Sequence, residues 1–292
     1  MFCEQPSEAS ATAELPPFVE VQDACKTYPT REGVVHALDH VALQVPRGRF
    51  VSVIGPSGCG KSTLLRMIAG LEQPDGGSVR ICGRSAAEAG ADKMIGFVPQ
   101  VPALLPWLDV LGNVQVLDKV NRAGTARRRR STPSTPGAPG LASDPVALLT
   151  RLGLGDVLHR KPRALSGGMQ QRTAIARAFA LQPDVLLMDE PFSALDEFTR
   201  EAAQLQLLDV WQELRTTVVF VTHSIAEAVL LSDTVVVMAA RPGRIAGVVE
   251  IGLDRPRHHG LLDSAGMHEH EHRIRQVLET AWNPLDPSQD VA

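Results

Sequence analysis

Aromatic residues make up only 4% of the 292 residues, with one tyrosine, three tryptophans and eight phenylalanines. Such a low proportion argues against a surface whose main task is to stack on nucleic acid bases. No charge of one sign dominates, because 29 lysines and arginines face 33 aspartates and glutamates, a net charge of −4. This near balance argues against electrostatic binding of nucleic acid by the chain as a whole, though not by a local patch, and we expect no nucleic acid partner.

Cysteine is scarce, and signals for membrane insertion or export are absent. Cys3, Cys25, Cys59 and Cys82 form no CxxC pair and no metal-ligand cluster in the sequence, which predicts free thiols in a reducing compartment. No lysine or arginine precedes Lys26, so the chain lacks the basic start of a signal peptide. No apolar run approaches the ~18 residues that a membrane helix needs. We therefore expect a cytosolic chain that reaches a membrane only through a partner.

The pattern of apolar residues predicts an α/β fold. Residues 1–17 predict a disordered leader, and alternation between Phe18 and Val45 predicts a partly exposed antiparallel sheet. Later apolar runs alternate with helical patterns, which favours a mainly parallel sheet covered on both faces. Strands are predicted at 50–54, 95–98, 185–189, 217–221 and 234–238, and helices at 61–70, 167–181, 197–214 and 225–231.

The main domain is predicted to span 18–252, with a helical subdomain at about 103–180. Weak helical patterns at 109–120 and 145–153 flank four consecutive arginines and a segment rich in serine, threonine, proline and glycine. This composition predicts a flexible, solvated loop at about 124–143. Residues 253–292 are predicted to be a tail with one helix near 268–281.

A glycine-rich segment, residues 55–63 (GPSGCGKST), directly follows the predicted buried strand 50–54 and opens a helix. It fits G-x-x-x-x-G-K-S/T, whose backbone N–H groups cradle phosphate oxygens. We expect Lys61 to reach the β- and γ-phosphates and Ser62 to supply a hydroxyl to Mg²⁺. A chance match in a glycine-rich turn is the alternative. The candidate nucleotide contacts are Gly55, Pro56, Ser57, Gly58, Cys59, Gly60, Lys61, Ser62 and Thr63.

Two acids end the apolar run at 185–188. The carboxyl end of a central strand delivers its side chains to the crevice where ligands bind in such sheets. Asp189 is expected to hold Mg²⁺ through water. Glu190 points to the other side and is placed to orient and deprotonate an attacking water. A strand end capped by two solvated acids is the alternative.

A second anion site is predicted at residues 165–172 (LSGGMQQR), which open a strong helix. Ser166 is an N-cap residue type, and Gly167 and Gly168 leave the helix N-terminus without side-chain cover. Since one nucleotide does not need two such cradles from one chain, we predict a head-to-tail dimer. This segment then closes over the γ-phosphate held by the partner. An ordinary capped helix is the alternative.

With these motifs in this order, the chain resembles the ATP-binding subunit of an ABC transporter over roughly residues 18–250. The resemblance extends to Tyr28 as the aromatic that stacks on adenine and to Gln100 as the Q-loop glutamine. Asp196 matches the D-loop aspartate, and His223 matches the switch histidine that meets the γ-phosphate. A structural role for Tyr28, a surface role for Gln100 and a buried, satisfied His223 are the alternatives.

The resemblance implies which residues act. Lys61, Gln100, Glu190 and His223 are the implied catalytic residues. The implied Mg²⁺ ligands are Ser62, Gln100 and Asp189. Beyond residues 55–63, the implied nucleotide contacts are Tyr28, Gln100, Ser166, Gly167, Gly168, Gln170, Asp189, Asp196 and His223.

The resemblance also implies an architecture and partners. The fold would be a P-loop NTPase core with an antiparallel β subdomain and an inserted α-helical subdomain. ATP and Mg²⁺ would be the cofactors of a homodimer at the cytoplasmic face of the membrane, bound peripherally to permease subunits. A solute-binding protein outside the membrane would act through the permease.

Finer similarities narrow the expected class. Residues 102–107, residues 222–225 with Glu227 and Ala228, and residues 240–245 are similar to the importer branch for nitrate, taurine and aliphatic sulfonates. Ser224 departs from the many relatives that carry an acid after the switch histidine. An importer of another small solute and a soluble ABC-type ATPase acting on DNA or ribosomes stay open, as do a phosphate-loop kinase and a nucleotide-gated regulatory module.

Overall fold

The computed structural model describes residues 17–31, 33–120, 124 and 141–281. The predicted leader at 1–17 lies outside these residues except for Pro17, and so does most of the predicted loop at 124–143. The strands are β1 Val19–Thr30, β2 Gly33–Val45, β3 Phe50–Ile54, β4 Gly76–Ile81, β5 Arg84–Ser85, β6 Ile95–Val98, β7 Val185–Asp189, β8 Thr217–Val221, β9 Thr234–Ala239 and β10 Arg244–Glu250.

The described helices cover both faces of the larger sheet. They are α1 Lys61–Ile68, α2 Ala86–Ala91, α3 Val110–Lys119, α4 Pro145–Arg151, α5 Gly167–Ala180, α6 Glu197–Leu214, α7 Ile225–Leu231 and α8 Ala265–Ala281. Short 3₁₀ turns occupy Gly155–Val157, Pro162–Ala164 and His259–Leu261. No helix among residues 17–31, 33–120 and 141–281 combines the length and apolar composition that crossing a membrane requires.

The strands form the two sheets that the α/β prediction requires. The antiparallel sheet has the order β2–β1–β4–β5, and the larger sheet has the order β10–β9–β3–β8–β7–β6. In the larger sheet β10 pairs antiparallel with β9, and every other neighbouring pair is parallel. Each residue of β3, β7 and β8 is buried, as expected for parallel strands covered on both faces.

Alternate residues of the central strands pack into different halves of the core. Phe50 and Ile54 join the cluster that contains the helical segment, which comprises α3, α4 and α5, and the tail helix α8. Val51 and Val53 join the cluster that contains residues of β1, β2 and α1. This division follows from the two-residue period of a strand. The larger sheet therefore carries the antiparallel sheet and α1 on one face and the helical segment on the other.

The tail helix α8 packs into the main core. Met267 and Ile274 are fully buried in the cluster that contains Trp211. The helix begins at Ala265, three residues before the prediction, because the Met267 N–H donates to the Ser264 hydroxyl at 3.2 Å. The division at residue 253 stays a prediction, and the tail helix buries apolar side chains against the rest of the chain.

The order of the parallel strands decides where functional side chains gather. β3, β8, β7 and β6 are consecutive neighbours, so their carboxyl ends lie side by side along one edge. The segments that follow these ends begin at Gly55, Thr222, Glu190 and Pro99. Ligands bind at this edge in open α/β sheets.

Candidate functional site

Residues 55–63, the phosphate loop, turn sharply from β3 into α1. A Cβ at Gly55 would lie 2.5 Å from the Met238 carbonyl oxygen, and one at Gly60 would lie 2.6 Å from the Ala37 carbonyl oxygen. Gly60 also has a φ of +87°, in the left-handed region that favours glycine. As N-cap of α1, Gly60 places no side chain over the helix N-terminus, so the first N–H groups of the helix can face an anion.

Lys61 lies folded across this loop. Its buried ammonium donates to the carbonyl oxygens of Gly55 at 2.8 Å and Pro56 at 3.0 Å. These two contacts hold the ammonium against the backbone of its own loop. Ser57 and Gly58 are exposed at the tip of the loop, while Pro56, Ser62 and Thr63 are half-buried.

Cys59 differs from its neighbours in the loop. Its side chain is fully buried, and a Cβ built on Gly55 would lie 2.8 Å from its sulfur. Burial raises the pKa of the Cys59 thiol above its usual range. The thiol therefore fills space beneath the loop, and any nucleotide contact by Cys59 is made by its backbone.

Ser62 and Asp189 meet at the edge of the sheet. The Ser62 hydroxyl donates to Asp189 Oδ1 at 3.0 Å. Burial is the main reason that the pKa of Asp189 is raised, and the charge of Glu190 adds to the rise, while the Ser62 hydrogen bond opposes it. A hydroxyl and a desolvated carboxylate are hard oxygen ligands, which suit Mg²⁺. Ser62 and Asp189, two of the three predicted metal ligands, therefore lie together and have the chemistry that Mg²⁺ requires.

Glu190 gathers the other predicted catalytic side chains. One of its carboxylate oxygens, Oε2, lies 3.3 Å from His223 Nδ1 and accepts from Gln100 Nε2 at 3.4 Å. Glu190 has a φ of +43°, an uncommon backbone conformation for a side chain of this kind, and its N–H donates to the Val221 carbonyl at 2.9 Å. The alternative of a buried His223 is wrong, because its side chain is 61% exposed.

Gln100 follows β6 and points toward Glu190. Its amide nitrogen also donates to the Ser193 hydroxyl at 3.4 Å. These contacts place it beside the predicted general base, and its role as a Mg²⁺ ligand stays a prediction.

At the second predicted anion site, one glycine has free space beside its Cα and the other is tightly packed. The Met169 N–H donates to the Ser166 hydroxyl at 3.3 Å, which confirms Ser166 as N-cap. A Cβ at Gly167 would meet no atom within 4 Å, whereas one at Gly168 would lie 2.8 Å from a Thr199 methyl carbon. Gly168 is thus required for helix packing, and Gly167 leaves free space above the helix N-terminus.

Gln170 stabilises the turn that leads into this site. Its amide donates to the carbonyl oxygens of Pro162 at 3.1 Å and Leu165 at 3.3 Å, which holds the turn that precedes α5. A nucleotide contact by Gln170 stays a prediction. The helix itself packs on α3, α4, α6 and β6, whereas α1 packs on β2, β4, β7 and β8. The two helix ends that are predicted to bind anions therefore belong to different parts of the chain.

Two further residues named by the resemblance lie on the surface or near it. Asp196 caps α6 by accepting from the Thr199 N–H at 3.0 Å, a bond that lowers the pKa of the Asp196 carboxyl. Tyr28 is half-buried in β1, and its hydroxyl donates to Glu72. Burial, followed by this bond, raises the pKa of Tyr28. Adenine stacking by Tyr28 stays a prediction.

The structure also brings together residues that the sequence analysis did not single out. Cys25, Asp39 and His40 place possible metal-ligand atoms within 4.8 Å of one another, a proximity that their positions in the sequence did not indicate. His40 is exposed and paired with Asp23 at 2.6 Å, and this pair accounts for its position. The residues lie on two strands, and only the bulged pairing of β1 with β2 brings them close.

Glu227 is a second such residue, since the sequence analysis named it only for its similarity to a family branch and gave it no role in the site. It is 6% exposed, accepts from Gln204 Nε2 at 2.8 Å and binds the Thr222 hydroxyl. A signal was present in the sequence, because Ser224 followed three residues later by Glu227 has the spacing of a capping box.

We predict that Asp189→Asn raises the thermal midpoint of the chain without nucleotide and Mg²⁺. The folded state raises the pKa of Asp189, so its ionised form destabilises the fold at neutral pH, and an asparagine still accepts the Ser62 hydrogen bond. The midpoint rises by about 2–4 °C for each ~1 kcal/mol of stability gained, and the rise should shrink at lower pH as Asp189 takes up its proton. Differential scanning fluorimetry measures this, with exposed Asp263→Asn as control. A fall in the midpoint contradicts the prediction.

Comparisons with known proteins identify the family of the chain. The sequence pattern of the ABC transporter family matches residues 38–193. The bicarbonate transport ATP-binding protein CmpD of Synechocystis sp. is 42% identical over 254 residues, which cover 86% of this chain and 84% of that protein. The nitrate import ATP-binding protein NrtD of Synechococcus elongatus is 43% identical over 235 residues, 80% of each chain.

A solved structure shares the fold. The dimeric, post-hydrolysis structure of the ATP-binding cassette MJ0796, bound to ADP and Pi, matches with a TM-score of 0.65 and 34% identity over 81% of this chain and all of that chain. The family match, the relatives and the strand-end site agree with one another. The chain therefore belongs to the ABC transporter family, as a subunit that binds and hydrolyses ATP.

Proposed function

We propose that this ATPase drives the import of a small oxyanion, with two copies closing head to tail on two ATP molecules. The observation that supports the chemistry is the gathering of four strand ends. Lys61 and Ser62 follow β3, His223 follows β8, Asp189 ends β7 and Glu190 follows it, and Gln100 follows β6. Glu190 touches both His223 and Gln100, so a base and two orienting groups face the same space.

Each group has a defined task in hydrolysis. The N–H groups of the phosphate loop and the Lys61 ammonium hold the β- and γ-phosphates. Ser62 and Asp189 hold Mg²⁺, which when bound neutralises charge on the phosphate oxygens. Glu190 accepts a proton from the attacking water, while Gln100 and His223 orient that water and the γ-phosphate. Most of the acceleration comes from positioning and from charges set in place beforehand.

The dimer is proposed from the open second anion site. Ser166 and Gly167 are exposed at the start of α5, and Asp196 and Phe198 are exposed at the start of α6, with Phe198 84% exposed. An uncovered helix N-terminus attracts an anion, and an exposed phenylalanine beside it favours contact with another chain. We propose that these residues complete the partner's ATP site, and that Tyr28 stacks on adenine in the chain that holds it.

The membrane partner is proposed to dock beside Gln100. Val101 is 73% exposed and Trp107 is 67% exposed in the segment that follows β6. A permease helix seated on these apolar groups would feel any movement of Gln100 when the γ-phosphate leaves. The subunit then lies peripherally at the cytoplasmic face, and a solute-binding protein outside acts through the permease.

The solute is proposed from the relatives named for nitrate import and bicarbonate transport. Nitrate and bicarbonate are both small, planar oxyanions. Taurine and aliphatic sulfonates stay as predictions from the sequence, as does an importer of another solute or an ATPase without coupling to transport.

We predict that Glu190→Gln binds ATP, loses hydrolysis by about 10²–10⁴-fold and accumulates as a closed dimer. The amide keeps the shape of Glu190 beside Gln100 and His223 but takes no proton from water. Phosphate release and light scattering on a sizing column measure the two effects, with exposed Glu279→Gln as control. Turnover at the wild-type rate would remove Glu190 from its role.

We predict that Gly167→Ala leaves the free energy of unfolding within about 0.5 kcal/mol of the wild type, because its Cβ meets no atom within 4 Å. The added methyl stands where the partner's γ-phosphate approaches. In a Glu190→Gln background the dimer should weaken by about tenfold, ~1.4 kcal/mol. Gly252→Ala, whose Cβ also meets open space, is the control. An unchanged dimer affinity would refute the head-to-tail arrangement.

We predict ATP-dependent uptake of nitrate or bicarbonate into vesicles that contain the cognate permease and binding protein. Trp107→Glu should abolish uptake and co-purification with the permease while basal ATPase activity stays. Taurine and an alkanesulfonate are tested in parallel. Uptake of only these two compounds would replace the oxyanion assignment, and no uptake of any solute beside active ATP hydrolysis would favour an uncoupled ATPase.

A further inference from the structure

Glu227 is a buried acid to which the mechanism above gives no role. It lies in the first turn of α7, four residues after His223, and is 6% exposed. Both of its oxygens are used, since Oε1 accepts from Gln204 Nε2 at 2.8 Å and Oε2 accepts from the Thr222 hydroxyl. The two partners belong to different parts of the fold, the end of β8 and the middle of α6.

The hydrogen bonds around Glu227 differ from those of an ordinary capping box. The Glu227 N–H donates to the Ser224 hydroxyl at 3.3 Å, as the motif requires. The Ser224 N–H, however, donates to the Thr222 hydroxyl oxygen at 3.0 Å, and that hydroxyl in turn donates to the acid. The carboxylate thus reaches the Ser224 backbone through Thr222 and closes a ring of bonds around His223.

This ring holds the backbone on both sides of His223. The Thr222 N–H donates to the Val53 carbonyl at 3.2 Å, which ties the same segment to the strand that precedes the phosphate loop. The His223 imidazole is 61% exposed and lies 3.3 Å from Glu190. An exposed ring with one side-chain contact takes its direction mainly from its backbone.

Gln204 connects the same acid to the surface proposed to face the partner. Asp196, Arg200 and Gln204 are spaced by four residues and so lie along one stripe of the helix that Asp196 caps. The Arg200 guanidinium donates to the Leu195 carbonyl at 2.7 Å, which holds the segment that precedes this helix. Gln204 lies two turns further along the same helix and contacts the acid, so the helix connects the two positions.

We propose that Glu227 is a positioning residue that holds His223 in line with Glu190 and ties that alignment to α6. This inference rests on the proposed roles of His223 and of the segment at Asp196. Stability gives no reason for the acid, because a buried carboxylate costs free energy and burial raises the pKa of Glu227. An apolar side chain of similar volume would fill the site at lower cost.

Single-turnover ATP hydrolysis, nucleotide affinity and the thermal midpoint test this proposal. Glu227→Ala should slow hydrolysis by about 10–100-fold, since misplacement of a reacting group on the order of 1 Å costs up to the larger factor. ATP affinity should be unchanged. Glu227→Gln should keep most of the rate, because its amide can still accept from Thr222 and pair with Gln204.

Val229→Ala is the matched control, because Val229 is fully buried in the same helix and belongs to the hydrophobic core. It should lower the thermal midpoint while the rate stays close to that of the wild type. A rate loss in Glu227→Ala no larger than in Val229→Ala would overturn the proposal, and so would failure of Glu227→Gln to rescue the rate.

The His223→Ala background separates this inference from the proposed function. Once the imidazole is gone, Glu227→Ala should cause no further loss, because the two substitutions remove one effect. A full additional loss overturns the positioning role alone and leaves the proposed function intact. Hydrolysis by His223→Ala at the wild-type rate overturns both the role of His223 and this inference.

Discussion

The parallel pairing of β3, β8, β7 and β6 is the constraint on which the rest of the structure depends. Asp189 pairs with Val221, and Val221 pairs with Val53, so the three strands end at the same level of the sheet. A slip of one residue would turn Asp189 to the opposite face of the sheet and break its bond with Ser62. The full burial of these strands on both faces opposes such a slip, because every shifted side chain would need a new place in the core.

The same edge concentrates polar groups that are expensive to bury, and each has a partner in place before any ligand arrives. Lys61 is satisfied by carbonyl oxygens of its own loop, Asp189 by Ser62, and Glu227 by Thr222 and Gln204. Groups held in this way need little reorganisation when a triphosphate binds. These hydrogen bonds offset part of the free energy lost in desolvation and hold the charged groups in fixed positions.

The sequence predicted the fold class and much of the site because these depend on local requirements. The loop at 55–63 needs glycine where Gly60 takes a left-handed backbone, and the strands at 185–189 and 217–221 need continuous burial. The bounds of the helix Glu197–Leu214 follow from local signals, namely the N-cap residue Asp196 and the helical spacing of apolar residues that comes after it. The start of the tail helix was misplaced, because its signal is the single hydroxyl of Ser264 ahead of a strongly polar run.

By itself the sequence determined which residue types follow which strands, since backbone conformation and periodic burial are properties of neighbouring residues. Tertiary structure alone decided that Glu190 meets Gln100 and His223, that the Cys59 thiol faces inward, and that Cys25 lies beside His40. It also turned the Glu227 side chain away from the ordinary capping position toward Thr222 and Gln204. The reason is physical: strand order and helix packing join residues far apart in the chain, and neither is encoded in the period of an apolar pattern.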